Sequence, residues 1–193
     1  MAALSGLFAA AGVRACVGQQ RDLDATCGAA IDEDAYLATV ALKVALKSAS
    51  LVECACRAGA LLAGATPDVV DAYAAFGLNL GMVLQLHNDI AGASLEGSDL
   101  RAGKLTLPLI FALESGPAPL QAELAALMSP NRREDLRPEE IDRVRQLLVA
   151  AGGLHYAAVV ADLYGEHALS CLERAGCEPE SDLSCLFGRL RTA

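Results

Sequence analysis

The stretch Gln85–Pro108, which reads QLHNDIAGASLEGSDLRAGKLTLP, decides how this chain is interpreted. It places the oxygen-bearing side chains of Asn88, Asp89 and Glu96 ahead of Lys104. Magnesium binds oxygen ligands and keeps several waters, so a carboxylate and an amide can hold it beside phosphate oxygens. A lysine that follows such ligands adds a positive charge for the phosphates. The stretch therefore predicts a site for magnesium and a diphosphate.

Helical spacing puts several of these residues on one side of a helix. Residues advance by about 100° each, so positions 88, 92 and 96 drift by only about 80° over two turns. Gln85 lies one turn earlier on the same side, and Asp89 lies about 100° away from Asn88. Gly92 carries no side chain at the midpoint, and this predicts room there for a water or an ion. The alternative is a solvated polar helix end followed by a loop, and spacing alone does not choose between the two.

The lysines add candidates for binding an anion. Lys104 follows a glycine and precedes a helix start, and Arg101 supplies a second positive charge nearby. The alternative for Lys104 is a charge that interacts with the end of the preceding helix. Lys43 and Lys47 are four residues apart with no acidic partner between them, which is unfavourable on a helix. At least one of them is therefore expected to face a site, unless both reach solvent along apolar surface.

The pattern of apolar residues predicts an all-α protein. No segment alternates with period two for long enough to indicate a strand. We predict one domain over residues 1–193, a bundle of about eight helices. The predicted helices are Ala2–Gln20, Asp32–Gly64, Thr66–Glu96, Leu105–Glu114, Pro119–Met128, Pro138–Gly152, His155–Ala175 and Asp182–Leu190, with loops at 21–31, 97–103 and 129–138. The uncharged run from Ala72 to Asn88 includes polar residues such as Asn79, so we predict a buried helix and no transmembrane segment.

Composition limits the partners and the compartment. A net charge of -9 argues against nucleic acid or an anionic membrane surface as a general partner. The seven cysteines, at positions 16, 27, 54, 56, 171, 177 and 185, form no Cys-x-x-Cys pair. An odd count without ligand spacing predicts reduced, mostly buried thiols and a cytoplasmic location.

Five motifs in order resemble those of the trans-isoprenyl diphosphate synthases, the polyprenyl synthetases. The region QLHNDIAG with DLRAGKLTLPLIFAL is similar to the second aspartate-rich region of that family. The others are GQQRDL at 18–23, KSA at 47–49, FGLNLGMVLQL at 76–86 and LHYAAVVADLYGEHALSCL at 154–172. The likeness covers nearly the whole chain and implies an isoprenoid synthase-type helical bundle.

The resemblance implies roles for the candidate residues. Lys47 and Lys104 fall on lysines that hold the substrate diphosphate, and Gln85 falls on a glutamine that lines the same pocket. Asn88 and Asp89 fall on the first two aspartates of the metal motif. The implied chemistry is magnesium-assisted ionisation of an allylic diphosphate, after which isopentenyl diphosphate or another acceptor captures the carbocation.

Two departures from the family pattern matter for the activity. The second motif of the family carries three aspartates, whereas this chain keeps Asp89 and has Gly92 in the last position. With Glu96, the spacing is closer to the Asn/Ser/Glu metal triad of class I terpene synthases. The first aspartate-rich motif is not matched, which implies an N-terminally truncated homologue unable to hold a trinuclear magnesium cluster alone. A homodimer, or a subunit that supplies the missing motif, would then cover exposed apolar surface.

Three functions follow from this pattern. The first is an isoprenoid synthase-type prenyltransferase, or a subunit of one, that binds an isoprenyl diphosphate through magnesium and lysines. The second is a catalytically inactive partner subunit or isoprenoid-binding protein that has lost the metal site. The third is a structural homologue without a ligand.

Overall fold

The computed structural model describes residues 2–24, 45–93, 98–129 and 136–178, together with Leu183 and Cys185. These residues form eight α-helices and no β-strand, which confirms the predicted all-α fold. The helices are α1 (Ala2–Asp24), α2 (Ser50–Leu62), α3 (Pro67–Ala91), α4 (Ser98–Arg101), α5 (Leu107–Glu114), α6 (Ala118–Leu127), α7 (Pro138–Ala150) and α8 (Gly153–Arg174). A short π-helical segment, Ala45–Ala49, leads directly into α2.

Proline and glycine set most of the helix boundaries. Pro67 and Pro138 begin α3 and α7, since their missing N–H groups lack a partner in a first turn anyway. Gly64 has a φ of 71° after α2, and the N–H of Ala65 donates to the carbonyl of Ala60 at 3.1 Å, as in a Schellman motif. The boundaries predicted from these residues agree with the structure to within a few residues.

Two predicted loops were partly wrong. Helix α1 continues to Asp24, where a loop was predicted from Arg21. Helix α4 lies inside the predicted loop 97–103, because Asp99 favours its first turn and Gly103, with a φ of 62°, ends it. The predicted helix start at Asp32, the loop around Arg132 and most of the final helix lie outside the described residues.

The helices divide into two compact units. The first unit contains the described residues of 1–22, 41–85 and 161–193. Its core cluster consists of Phe76, Leu80, Ala168, Cys171 and Leu172. An ion pair of 2.8 Å between Arg14 and Glu53 connects α1 to α2, and the unit is therefore held by apolar packing and cross-helix contacts.

Glycines bring α3 very close to α2 within this unit. A Cβ atom on Gly77 would lie 2.7 Å from the carbonyl oxygen of Val52 and 2.9 Å from the Sγ of Cys56. A Cβ atom on Gly81 would overlap Ala49, whose own Cβ is 2.7 Å away and which has no exposed surface. Because real Cβ atoms do not approach this closely, any larger side chain would push the helices apart.

The second unit contains the described residues of 23–40 and 86–160. Helices α5, α6 and α7 pack together in it, with Leu109, Leu124 and Leu148 fully buried. The rings of Phe111 and Tyr156 stack with centroids 4.2 Å apart. The guanidinium of Arg143 on α7 donates two hydrogen bonds to Glu123 on α6, and they lower the pKa of that carboxyl. The prediction of one domain over the whole chain stays a prediction.

Among the described residues, α3 is long and apolar enough to cross a membrane, with a mean hydropathy of 1.4 in its most apolar window, and α7 with α8 would pass the same test as one bent span. In the structure, 56% of that window is buried against the protein. Such burial is typical of a core helix, as predicted for the uncharged run that α3 contains.

Apolar surface is exposed on α1. Phe8, Val13 and Val17 are 57%, 65% and 42% exposed. The prediction that a partner or a second copy covers such surface stays a prediction.

We predict that Gly81→Val destabilises the protein by about 1–3 kcal/mol, because the new side chain overpacks the contact with Ala49. Urea unfolding followed by circular dichroism measures this change. Gly59→Ala is the matched control: it lies on α2 with nothing within 4 Å of the added methyl, so it should stabilise the helix by about 0.5–1 kcal/mol. Equal effects of the two changes would contradict the close packing of α3 on α2.

Candidate functional site

A groove in the first unit brings Lys47 together with apolar walls. Its volume is about 590 Å³. The lining residues are Ala15, Cys16, Gln19, Lys47, Ser48, Leu51 and Val52. The groove therefore combines one positive charge and two other polar side chains with an aliphatic surface, as a ligand with an anionic head and an apolar chain requires.

Ser48 and Gln85 connect this groove to α3. The hydroxyl of Ser48 donates a hydrogen bond of 2.8 Å to the Oε1 atom of Gln85. The side-chain oxygen of Gln85, which would repel a phosphate, is thereby bound to Ser48. Lys47 and Ser48 both line the groove, and Gln85 is hydrogen-bonded to Ser48 without being one of the lining residues.

The second unit contains the other predicted lysine. Lys104 follows Gly103, whose positive φ lets the chain turn back on α4. The N–H of Lys104 donates to the carbonyl oxygen of Asp99 at 3.0 Å, and its Nζ atom pairs with the Oδ1 atom of Asp99 at 2.5 Å. The side chain of Lys104 remains 51% exposed, so this lysine is anchored at its ammonium group and still reaches solvent.

The space beside Gly92 is filled by Asp99. A Cβ atom on Gly92 would overlap the Oδ2 atom of Asp99 and lie 2.9 Å from its Cγ. The Asp99 side chain is only 8% exposed. This corrects the prediction that Gly92 leaves room for a water or an ion, because a carboxylate from α4 already occupies that room.

The predicted metal ligands are placed differently from one another. Asn88 is exposed near the end of α3, whereas Asp89 is 7% exposed. Glu96 lies outside the described residues, so its proposed role stays a prediction. Arg101 is exposed at the end of α4. His87 is partly buried and received no role.

The donor chemistry at Asn88 and Asp89 fits magnesium only in part. Magnesium takes one or two carboxylates and completes its shell with waters and substrate phosphates, so an amide oxygen and a carboxylate are suitable ligands. Gly92 offers no ligand, and within the described part of the chain no group of three or more acidic, histidine or cysteine side chains could hold a metal. Asn88 and Asp89 therefore offer two oxygen donors of the kind that magnesium binds, and the metal site stays a prediction.

The sequence analysis assigned no role to Asp99, which pairs with Lys104, or to Gln19, which lines the groove. Asp99 is an acid in the first turn of α4, five residues before Lys104, and that spacing across a glycine turn was the signal available. Gln19 is part of the motif at 18–23 and could have been assigned to the groove from it.

The cysteines are more varied than predicted. No disulfide joins the six described ones, but Cys16 and Cys185 are exposed, which corrects the prediction of mostly buried thiols. Burial raises the pKa of the Cys56 thiol. Burial also raises the pKa of Tyr73, and a hydrogen bond with Cys177 adds to the shift. Cys56 is therefore expected to react slowly, whereas Cys16 is exposed at the groove.

Comparison with known sequences supports the resemblance to the polyprenyl synthetases. The sequence profile of the family described as "Polyprenyl synthetase" matches residues 2–148. The probable mitochondrial hexaprenyl pyrophosphate synthase of Yarrowia lipolytica is 34% identical over 139 residues, which are 68% of this chain and 29% of that protein. The geranylgeranyl diphosphate synthase of Mycobacterium tuberculosis is 31% identical over 173 residues, which are 86% of this chain and 47% of that protein.

Comparison with solved structures also finds isoprenyl diphosphate synthases. The geranylgeranyl pyrophosphate synthase of Corynebacterium glutamicum, solved with calcium and isoprenyl diphosphate, superposes with a TM-score of 0.84 at 27% identity. The match covers 100% of this chain and 60% of that protein. The chain thus spans less than two thirds of the length of each of these relatives.

We predict that Ser48→Ala lowers the free energy of unfolding by about 0.5–1.5 kcal/mol, because the oxygen of Gln85 loses its partly buried donor. Thermal unfolding by calorimetry measures the loss. Ser48→Thr keeps the hydroxyl and is the matched control, with an effect expected to be smaller. Wild-type stability in the alanine variant would show that the hydrogen bond does not hold the two segments together.

Proposed function

Because this chain belongs to the polyprenyl synthetase family, we propose that it binds an isoprenyl diphosphate and takes part in prenyl transfer. The observation that carries the proposal is the groove beside Lys47, where a cation meets an aliphatic wall. Support comes also from the Corynebacterium glutamicum enzyme, whose structure holds isoprenyl diphosphate.

In the first unit, the apolar and polar sides of the groove suit the two ends of the ligand. Leu51 and Val52 offer aliphatic surface to the prenyl chain, and each buried CH₂ group contributes about 0.8 kcal/mol. Lys47 supplies the charge for the diphosphate, with the hydroxyl of Ser48 and the amide of Gln19 as polar neighbours. A diphosphate leaving group gains negative charge during ionisation, and a fixed cation stabilises that charge.

In the second unit, Lys104 is the corresponding candidate for diphosphate binding. Its ammonium group is anchored by Asp99 but exposed enough to contact an anion. Arg101 is exposed a few residues earlier and can add charge. Asn88 and Asp89 would hold a magnesium ion, which when bound neutralises phosphate charge. We also propose, from the family, that the chain works as a homodimer or with a subunit carrying a further aspartate-rich motif.

The second candidate function is an inactive partner subunit or isoprenoid-binding protein. The absence of a carboxylate at Gly92 favours it, since the aspartates of the family motif are reduced to Asp89. Ligand binding is common to both functions, and turnover separates them. The cytoplasmic location stays a prediction, and the Yarrowia lipolytica relative is described as mitochondrial.

Binding can be tested with farnesyl diphosphate in isothermal titrations, with and without magnesium. We expect Lys47→Gln and Lys104→Gln each to weaken binding by about tenfold or more, as for a lost charge-assisted hydrogen bond of about 1.5–3 kcal/mol. Arg143→Gln removes the same charge from the exposed face of α7 and is the matched control. Equal affinities for all four proteins would rule out both lysines as ligands of the diphosphate.

The groove itself can be tested through Cys16. This exposed thiol lines the groove, so bound farnesyl diphosphate should slow its alkylation by iodoacetamide. Cys185 is also exposed but lies outside the groove lining, and it should react at the same rate with and without ligand. Mass spectrometry of the two peptides measures both rates. Protection of neither cysteine, at saturating ligand, would place the ligand elsewhere.

Turnover separates the two candidate functions. The purified chain is incubated with magnesium, isopentenyl diphosphate and farnesyl diphosphate, and the products are analysed by mass spectrometry. Prenyl transfer predicts a longer diphosphate whose formation is reduced in Lys47→Gln. Binding without any product would favour the inactive partner subunit.

A further inference from the structure

We propose that Asp99 is the positioning residue for Lys104, and that Gly92 provides the space that its carboxylate needs. This inference rests on the proposed function insofar as Lys104 binds a diphosphate. Both oxygens of the Asp99 carboxylate are accounted for: Oδ1 pairs with the ammonium of Lys104, and Oδ2 lies against Gly92.

Lys104 needs an anchor to hold a defined position. It follows a glycine, and a lysine side chain has many rotamers, so without an anchor it would sample many positions. In the structure its N–H and its Nζ both bind Asp99, one through the backbone carbonyl and one through the side chain. The two bonds hold both ends of the lysine to one residue. The Lys104 side chain is still 51% exposed, so an anion from solvent can reach it.

The carboxylate of Asp99 is buried. Asp99 is one of four buried polar or charged residues in the described part of the chain, at 6% exposure. A buried carboxylate is costly without a partner, and Lys104 is a partner from outside the core. The pair is thus asymmetric, because the acid is fixed by burial and the lysine is half exposed. The buried acid therefore positions the half-exposed lysine.

Gly92 stands where the polyprenyl synthetase pattern has an aspartate. The carboxylate of Asp99 occupies the space into which any side chain at this position would project. An aspartate at position 92 would bring two carboxylates into contact, and like charges this close cannot both ionise readily. The glycine at position 92 and the buried carboxylate of Asp99 therefore depend on each other for space.

The reactivity of Lys104 tests the positioning without any ligand. The chain has three lysines, at positions 43, 47 and 104, so acetic anhydride labelling followed by mass spectrometry resolves each of them. Asp99→Asn keeps the shape but removes the charge, and we expect Lys104 to react at least about threefold faster while Lys47 is unchanged. An unchanged rate at Lys104 would overturn the proposal.

The affinity for inorganic pyrophosphate tests whether the positioning of Lys104 helps it to bind an anion. Positioning and simple electrostatics predict changes in affinity of opposite direction. Positioning predicts that Asp99→Asn binds pyrophosphate about three- to tenfold more weakly than the wild type. Simple electrostatics predicts the opposite, because the variant has one negative charge fewer. Tighter or unchanged binding would show that Asp99 competes with the ligand or is irrelevant to it, and would overturn the proposal. If the wild type binds no diphosphate, the proposed function fails, and the labelling result alone decides whether Asp99 holds Lys104.

The role of Gly92 is tested by the change in melting temperature that Gly92→Ala causes in two backgrounds, one with Asp99 and one without it. Gly92→Ala should lower the melting temperature in the wild-type background, because the methyl group meets the carboxylate of Asp99. In an Asp99→Ala background the same change should leave the melting temperature unchanged or raise it, as Gly59→Ala should, since alanine favours helix over glycine. The same shift in both backgrounds would overturn the coupling. Because Asp99→Asn is close to isosteric, the labelling test remains available if a Gly92 variant does not fold.

Discussion

The close approach of α3 to α2 is the constraint on which the first unit depends. Gly77 and Gly81 are four residues apart and therefore face the same side of α3. Gly77 lies against the backbone of α2 at Val52, and Gly81 lies against Ala49, next to Ser48 in the chain. Gln85 is one further turn along the same face, and it meets the hydroxyl of Ser48. The part of the groove wall that carries Lys47, Ser48 and Val52 is thus held against α3 by this contact.

The second unit uses a glycine in the same physical way but for a different purpose. At Gly92 the missing side chain admits a carboxylate rather than a backbone, and that carboxylate holds Lys104. In the first unit, close packing brings a lysine into a groove; in the second, it buries an acid that anchors a lysine. In both units an anion-binding candidate is held by elements that a glycine allows to approach. The geometry of the site therefore depends as much on these glycines as on the charged residues.

A feature of this structure could be predicted from the sequence when the residues that determine it are close together in the chain. The helix boundaries at Pro67 and Pro138 were predictable, since proline acts on its own first turn. The position of Lys104 before a helix start made it a candidate for binding an anion, and this role stays a prediction. Its partner was not, because the ion pair requires α4, a helix of four residues in a stretch rich in loop-forming residues. The space at Gly92 was recognised, but its occupant comes from another helix, and spacing along α3 does not contain that information.

The burial of Asp99 bears on how the loss of family aspartates should be interpreted. A missing metal ligand at position 92 taken alone points to an inactive homologue, because a glycine cannot bind an ion. The structure shows that the position is not simply vacant, since a buried carboxylate fills it and is neutralised by Lys104. A buried carboxylate without a partner costs several kcal/mol, so Lys104 offsets the burial of Asp99 at the same time as Asp99 holds Lys104. The pair thus places the charge of Lys104 in a defined position, which is what the proposed diphosphate binding requires whether or not the protein also ionises its ligand.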